Sequence, residues 1–208
     1  MASSLKVMVM DAETDRLIGV ATRMFAEVGY DWTSMRMIAE AAGTDVDRLV
    51  EAVGEKPELY HEVMVRAVNA ERAAMEPALR SFVPGVQGAL DLVDAYLDYN
   101  VAHPGHLSLW LHRWTGDAAD TPDLEGMFSR PLALEVAETI RDLTPDDVDG
   151  GHLVWTVVWC VYGFLSGGMR HVSPDWPQKR GEPVQPDVVE SFRAYLHTLI
   201  RRMIAPAG

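Results

Sequence analysis

The chain has 208 residues, 48% of them hydrophobic, with a formal net charge of −13 and one cysteine. That is enough apolar material for one sizeable core, or for a small unit plus a larger one. The charge argues against tight sequence-independent binding to a polyanion, and a single thiol excludes an internal disulfide and a Cys-x-x-Cys metal site.

Cys160 reads as a small buried apolar residue suited to a reducing compartment. No secretory signal is expected, because the apolar run at residues 5–10 is short and acidic residues follow it. The longest apolar run, residues 153–165, falls short of the roughly 20 residues a bilayer span needs. A cytoplasmic chain with no membrane partner is the expectation.

In chain order, residues 1–12 read as a disordered or partly ordered arm with Lys6 as its only basic residue. Residues 14–28 place Leu17, Ile18, Ala21, Met24, Phe25 and Val28 at helical spacing, and Gly29 ends that helix. Thr33 is the predicted N-cap of a short helix over residues 34–42, with Met35, Ile38, Ala39 and Ala42 along one side. Gly43 stops it by taking the left-handed conformation open to a residue without a β-carbon. Asp45 then caps a second short helix over residues 46–53, with Val46, Leu49, Val50 and Val53 as its buried side. Two short helices across a tight glycine turn are a helix-turn-helix pattern, whose second helix enters the DNA major groove.

Pro57 opens a long fourth helix to about residue 80, which Pro77 kinks or shortens. A turn at Val83, Pro84 and Gly85 precedes a helix over residues 89–101. His103, Pro104, Gly105 and His106 break the chain before a short helix over residues 107–114. Residues 115–123 form a small acidic loop; helical patterning resumes over 122–143 with Pro131 as an interruption, and the most apolar helix follows at 147–170. Residues 171–186 are too rich in proline for regular structure, and a last helix covers 187–204. The predicted fold is all-α, with a three-helix N-terminal domain over residues 12–56 and a larger helical bundle over 57–208.

Residues 17–59 resemble the N-terminal domain of the TetR family of bacterial transcriptional regulators. The likeness is carried by Phe25-Ala-Glu-Val-Gly-Tyr30, by Thr33-Ser-Met-Arg-Met-Ile-Ala-Glu-Ala-Ala-Gly43, and by Leu49, Gly54, Lys56 and Leu59. Departures fall in the reading helix, where small or basic residues and then Tyr, His and Phe are usual. Here stand Thr44, Asp45, Val46, Asp47 and Arg48, then Val50, Ala52 and Val53, and residues 44–56 carry a net charge of −2.

The resemblance implies a homodimeric regulator, most often a repressor, released from double-stranded operator DNA by a small, largely apolar effector. Thr33, Ser34, Arg36 and Thr44 would meet phosphates or base edges, Arg48 would read a base, and Lys56 would hold a phosphate. The dimer would form through the last two long helices, at residues 153–165 and 192–203. A ligand cavity in the second domain would be lined by Trp110, Trp114, Trp155, Trp159 and Tyr162, with His106 or His112 as a polar handle. For any one of these side chains, core filling is the commoner role. The alternative is a ligand-binding or interaction dimer of the same fold with weak or lost DNA binding, which Asp45, Asp47, Val50 and Ala52 motivate.

No cofactor, metal or catalytic site is expected. His103 and His106 are three apart, but Pro104 and Gly105 spoil helical spacing and no further ligand follows at a useful interval. Neither a phosphate-cradling glycine loop nor a G-x-S-x-G elbow is present.

Overall fold

A computed structural model describes residues 2–121, 124–167 and 184–204, and these form helices and turns with no strand among them. Nine α-helices are described: α1 (Ala2–Val28), α2 (Met35–Ala42), α3 (Val46–Val53), α4 (Lys56–Arg80), α5 (Val86–Ala102), α6 (Pro104–Trp114), α7 (Arg130–Thr139), α8 (Gly150–Leu165) and α9 (Pro186–Met203). A π-turn at Glu125–Ser129 leads into α7, and a 3₁₀ turn at Arg141–Leu143 follows it. Most of the proline-rich stretch expected at residues 171–186 lies outside the described residues.

Among the boundaries that differ from the sequence expectation are the helix expected at 89–101, which begins at Val86, and the one expected at 147–170, described as Gly150–Leu165. Two further differences have identifiable local reasons. The helix α1 begins at Ala2, where an arm was expected; residues 2–13 contain neither glycine nor proline, so nothing local stops the helix. The break expected at residues 103–106 shrinks to one residue, since Pro104 sits at the start of α6, where its missing N–H costs nothing.

Packing divides the chain into two compact units, with the division inside α4. The first runs through Val68 and includes Gly105–Leu124; the second holds Asn69–Pro104 and the residues from Glu125 onward. In the first, α1 packs on both α2 and α3. Phe25, Tyr30 and Tyr60 form an aromatic knot, with Tyr60 edge-on to Phe25 at 5.2 Å and 4.7 Å from Tyr30. Sequence patterning finds the apolar stripes here because Leu17, Ile18, Ala21 and Phe25 of α1 are all buried, as are Ile38 and Ala39 of α2 and Leu49 of α3. Val46, expected on the buried side of α3, is instead 37% exposed, since it opens the helix and has no preceding turn to cover it.

The second unit buries a continuous core from α5, α7, α8 and α9, including Leu90, Val93, Leu97, Leu132, Leu153, Val157, Phe192 and Leu196. Phe164 and Phe192 stack face to face at 4.0 Å between α8 and α9. Arg193 ties α9 to α5 by donating to Asp94 at 2.8 Å and to Asp98 at 2.5 Å, and it also reaches Glu190 on its own helix. Gly88 is required at its position, because a β-carbon there would stand 2.3 Å from the Val83 carbonyl oxygen.

Candidate nucleic-acid interface and ligand-binding residues

The turn between α2 and α3 is fixed by its caps. Ser34, not Thr33, is the N-cap of α2, and its hydroxyl accepts the Met37 N–H. Gly43 takes the left-handed conformation with φ 67° at the far end. Asp45 caps α3 by accepting the Arg48 N–H at 2.8 Å. These caps set where each helix begins, and so which side chains of α3 face outward. Asp47 and Arg48 are exposed and Leu49 is buried. Arg36 and Ser34 are exposed as well, and Thr44 is half-buried.

Thr33 requires a correction. It is 1% exposed and its hydroxyl donates to the Gly29 carbonyl at 2.6 Å, so it closes the α1–α2 turn from inside and is not available to a phosphate. Both Thr33 and Ser34 have capping chemistry, and the preceding turn decides between them. The Lys56 ammonium lies 4.1 Å from the Tyr30 ring centre, a cation–π contact that fixes its place at the start of α4.

That turn has a second anchor, which local patterning does not reveal. The Asp117 carboxylate accepts the N–H of Tyr30 at 2.6 Å and that of Asp31 at 2.8 Å. Asp31 in return accepts the Ala118 N–H at 3.3 Å. His112 of α6 lies 3.2 Å from the Ala26 carbonyl near the end of α1. Burial raises the Tyr30 phenol, helped by the negative charges of Asp120, Asp31, Glu58 and Asp117. Trp32, between the anchored Asp31 and the buried Thr33, is 81% exposed.

The seven residues expected to line a ligand cavity divide between the units. His106, Trp110, His112 and Trp114 belong to the first; Trp155, Trp159 and Tyr162 belong to the second. Within the first, Trp110 is buried and its ring centre is 6.0 Å from that of Trp114. Within the second, Trp159 and Tyr162 meet at 6.4 Å, Tyr162 buried and Trp159 exposed.

The second unit also contains a polar cluster that sequence patterning singles out only in part. Tyr96, Tyr99 and Asn100 share one face of α5, with Tyr99 and Asn100 buried, and the Tyr96 side chain is hydrogen-bonded to Asn100 and to Tyr162 of α8. Burial, together with the nearby Glu71 carboxyl of α4, pushes the Tyr96, Tyr99 and Tyr162 phenols up. Glu71 itself is pushed up to about 7 by burial. A charged residue on a long polar helix reads as solvated, so nothing in the sequence marks Glu71 as half-buried. Among the described residues, no group of three or more His, Cys, Asp or Glu side chains is placed to hold a metal ion. No helix among them is long and apolar enough to cross a membrane.

Short capped helices on a tight glycine turn, packed on a third, make the head a helix-turn-helix domain of the DNA-reading class. Residues 17–63 match the family model for bacterial regulatory proteins of the tetR family, and the N-terminal domain belongs to that family. Comparison with curated proteins gives no significant match.

Solved structures share the fold over nearly the whole chain. The ketosteroid transcriptional regulator KstR2 of Mycobacterium tuberculosis is 16% identical with a TM-score of 0.71, over 92% of this chain and 95% of that one. A transcriptional regulator from Saccharomonospora viridis in complex with choline is 20% identical with a TM-score of 0.70, over 95% of this chain and 100% of that one. AibR in complex with isovaleryl coenzyme A and operator DNA is 15% identical with a TM-score of 0.66, over 89% of this chain and 98% of that one. The all-α architecture expected from the sequence is thus the fold of these regulators.

Proposed function

We propose that this protein is a cytoplasmic transcriptional regulator of the TetR type, acting as a repressor whose hold on operator DNA is set by a small molecule bound in its C-terminal domain. Residues 12–56 would carry DNA binding and residues 57–208 ligand binding and dimerisation. The observation that carries this reading is the fully capped α2–α3 turn with Arg36 and Arg48 exposed upon it. Ser34 and Thr44 are offered to phosphates, Arg48 to a guanine edge and Lys56 to the backbone. The relatives with choline and with isovaleryl coenzyme A are solved with effector-sized molecules, which supports a small-molecule effector here.

Dimerisation through α8 and α9 is part of the proposal. Trp159 is 50% exposed on α8 and Tyr195 is 51% exposed on α9, and Gly163, one turn beyond Trp159, has open space beside it. Such apolar surface suits the self-complementary patch of a two-fold dimer, and two-fold symmetry matches paired half-sites on DNA.

A second reading is favoured by α3 itself, where Asp45, Asp47 and Glu51 are exposed beside Arg48. In that reading the dimer binds a ligand or partner and has lost its operator. A gel shift at low salt with DNA flanking the protein's own gene separates the two. A discrete shift that competitor DNA does not abolish supports the regulator, and no shift across the region supports the second reading.

A further inference from the structure

Trp32 is at once exposed and fixed. It is 81% exposed in the turn between α1 and α2. The backbone on both sides of it is fastened. The Asp31 N–H donates to the Asp117 carboxylate at 2.8 Å, and the Asp31 carboxylate accepts the Ala118 N–H at 3.3 Å. Thr33 is buried with its hydroxyl on the Gly29 carbonyl at 2.6 Å, and its N–H reaches back over Trp32 to the Tyr30 carbonyl at 3.1 Å. A turn that only joined two helices would gain nothing by showing an indole to water, because large aromatic surface is favourable to bury. Holding the chain on both sides lowers the entropy such a side chain loses when it meets a partner.

The neighbours of Trp32 indicate what that partner is. Two residues before it, the Tyr30 ring carries the Lys56 ammonium at 4.1 Å from its centre. Two residues after it, Ser34 caps α2; its oxygen accepts the Met37 N–H at 3.2 Å, which leaves its O–H to donate outward. Along the chain Trp32 therefore lies between two positions assigned above to phosphates. An indole suits the same strand, since it carries one donor, no acceptor and a broad apolar face: a phosphate oxygen takes the donor and a deoxyribose takes the face. The charge of this surface gives a neutral contact more weight. Glu40, Asp45, Asp47 and Glu51 are exposed on α2 and α3 against Arg36 and Arg48, so ion pairing with a polyanion is partly cancelled there.

We infer that Trp32 is a contact to the DNA backbone, its indole N–H donating to a phosphate oxygen and its ring lying on the adjoining deoxyribose. The inference rests on the proposed DNA-binding role of the first unit, and it adds to that face an uncharged residue that motif spacing does not mark. The backbone is much the same in every sequence, so Trp32 adds affinity without choosing between sequences. Being neutral, it displaces no counter-ion and leaves the salt dependence as it is.

Fluorescence anisotropy of the full chain at low salt tests this, with the duplex from beside its own gene that the gel shift retains and a mixed-sequence duplex of equal length. Trp32→Ala is expected to weaken both by at least about fivefold, with the slope of affinity against salt unchanged. Trp32→Phe, which keeps a ring and loses the N–H, should fall between Trp32→Ala and the wild type. DNA should also quench the part of the tryptophan emission that Trp32→Phe removes. The urea midpoint should hold in both variants because the side chain is exposed; where Trp32→Ala lowers it, the affinities of Trp32→Phe and the wild type decide. Wild-type affinity in the variants overturns the inference and leaves the regulator reading standing. A changed salt slope, or a loss on the flanking duplex alone, also overturns it, since either gives the indole a different role. Unchanged DNA binding with a lower mass in light scattering assigns Trp32 to a contact between copies, and overturns it as well. If the wild type binds neither duplex, the inference and the regulator reading fail together.

Discussion

Asp117 and Tyr30 are 87 residues apart in sequence, yet the carboxylate of one receives the backbone N–H of the other at 2.6 Å. The second carboxylate oxygen receives the N–H of Asp31, so one side chain closes the α1–α2 turn from outside while Thr33 closes it from within. Hydrogen bonds to an ionised acceptor exceed neutral ones, and two are made here. Asp117→Ala is expected to destabilise the first unit by about 2 kcal/mol, read as a lowered urea midpoint, with Asp117→Asn intermediate because it keeps one acceptor. An unchanged midpoint would show that water replaces the carboxylate without loss.

Arg193 is the corresponding tie in the second unit. Its side chain is 17% exposed and meets Asp94, Asp98 and Glu190. Burial alone would lower its proton affinity, but the three carboxylates more than reverse that and hold it firmly charged. Removing it leaves acids crowded between α5 and α9, where His197 reaches Asp94 at 2.7 Å. Arg193→Ala should cost about 2 kcal/mol, between the values for an exposed and a buried pair. Arg193→Lys should restore only part of that, since an ammonium cannot fork between carboxylates. Chemical denaturation with matched slopes checks both.

Glu71 makes stability depend on pH in a definite direction. Its carboxyl is raised from 4.5 to about 7 in the folded chain, so between those values the folded state keeps a proton that the unfolded chain has released. The contribution is intact below the unfolded value and is lost as pH rises through the folded one, a loss of about 3 kcal/mol at most. The groups facing it, the Tyr96, Tyr99 and Tyr162 phenols, are all raised and do not titrate in that window. Stability of the wild type relative to Glu71→Gln, measured at about pH 5 and about pH 8, should therefore fall with pH. A constant difference would place the acid in water.

On DNA, Arg48→Ala is expected to relax sequence preference at one base step, whereas Lys56→Ala should weaken all sequences alike and reduce the salt slope by about 1. Lys56→Ala also removes the contact over Tyr30, at a cost of about 0.5–1 kcal/mol in folding stability. Asp47→Asn, which removes an exposed acid from α3, should raise non-specific affinity. Fluorescence anisotropy across a salt series separates the three.

What the sequence discloses follows the range of the interactions. Asp45, Gly43 and Leu49 were legible because caps and helical faces are decided within four residues. Even there the cap falls on Ser34 and not on Thr33, since capping chemistry is shared by neighbours and the Gly29 carbonyl takes the Thr33 hydroxyl. Asp117 was not legible: an acid in an acidic loop looks solvated, and its partners lie far away in the chain. Glu71 was hidden in the same way, by belonging to a helix most of whose other charges are exposed. The aromatic residues of α6 and α8 were visible as a group, but composition does not say which belong to one packing unit: Trp110 and Trp114 fall in the first, Trp159 and Tyr162 in the second.

The cap on α3 has a consequence for economy in the cell. With Asp45 seated on the helix end and Asp47 beside it, the positive pole that would draw any phosphate is already occupied by the protein's own acid. If the chain reads an operator as proposed, it would linger little on bulk chromosome, whose countless near-matches trap stickier proteins. Few molecules would then suffice to keep one promoter watched.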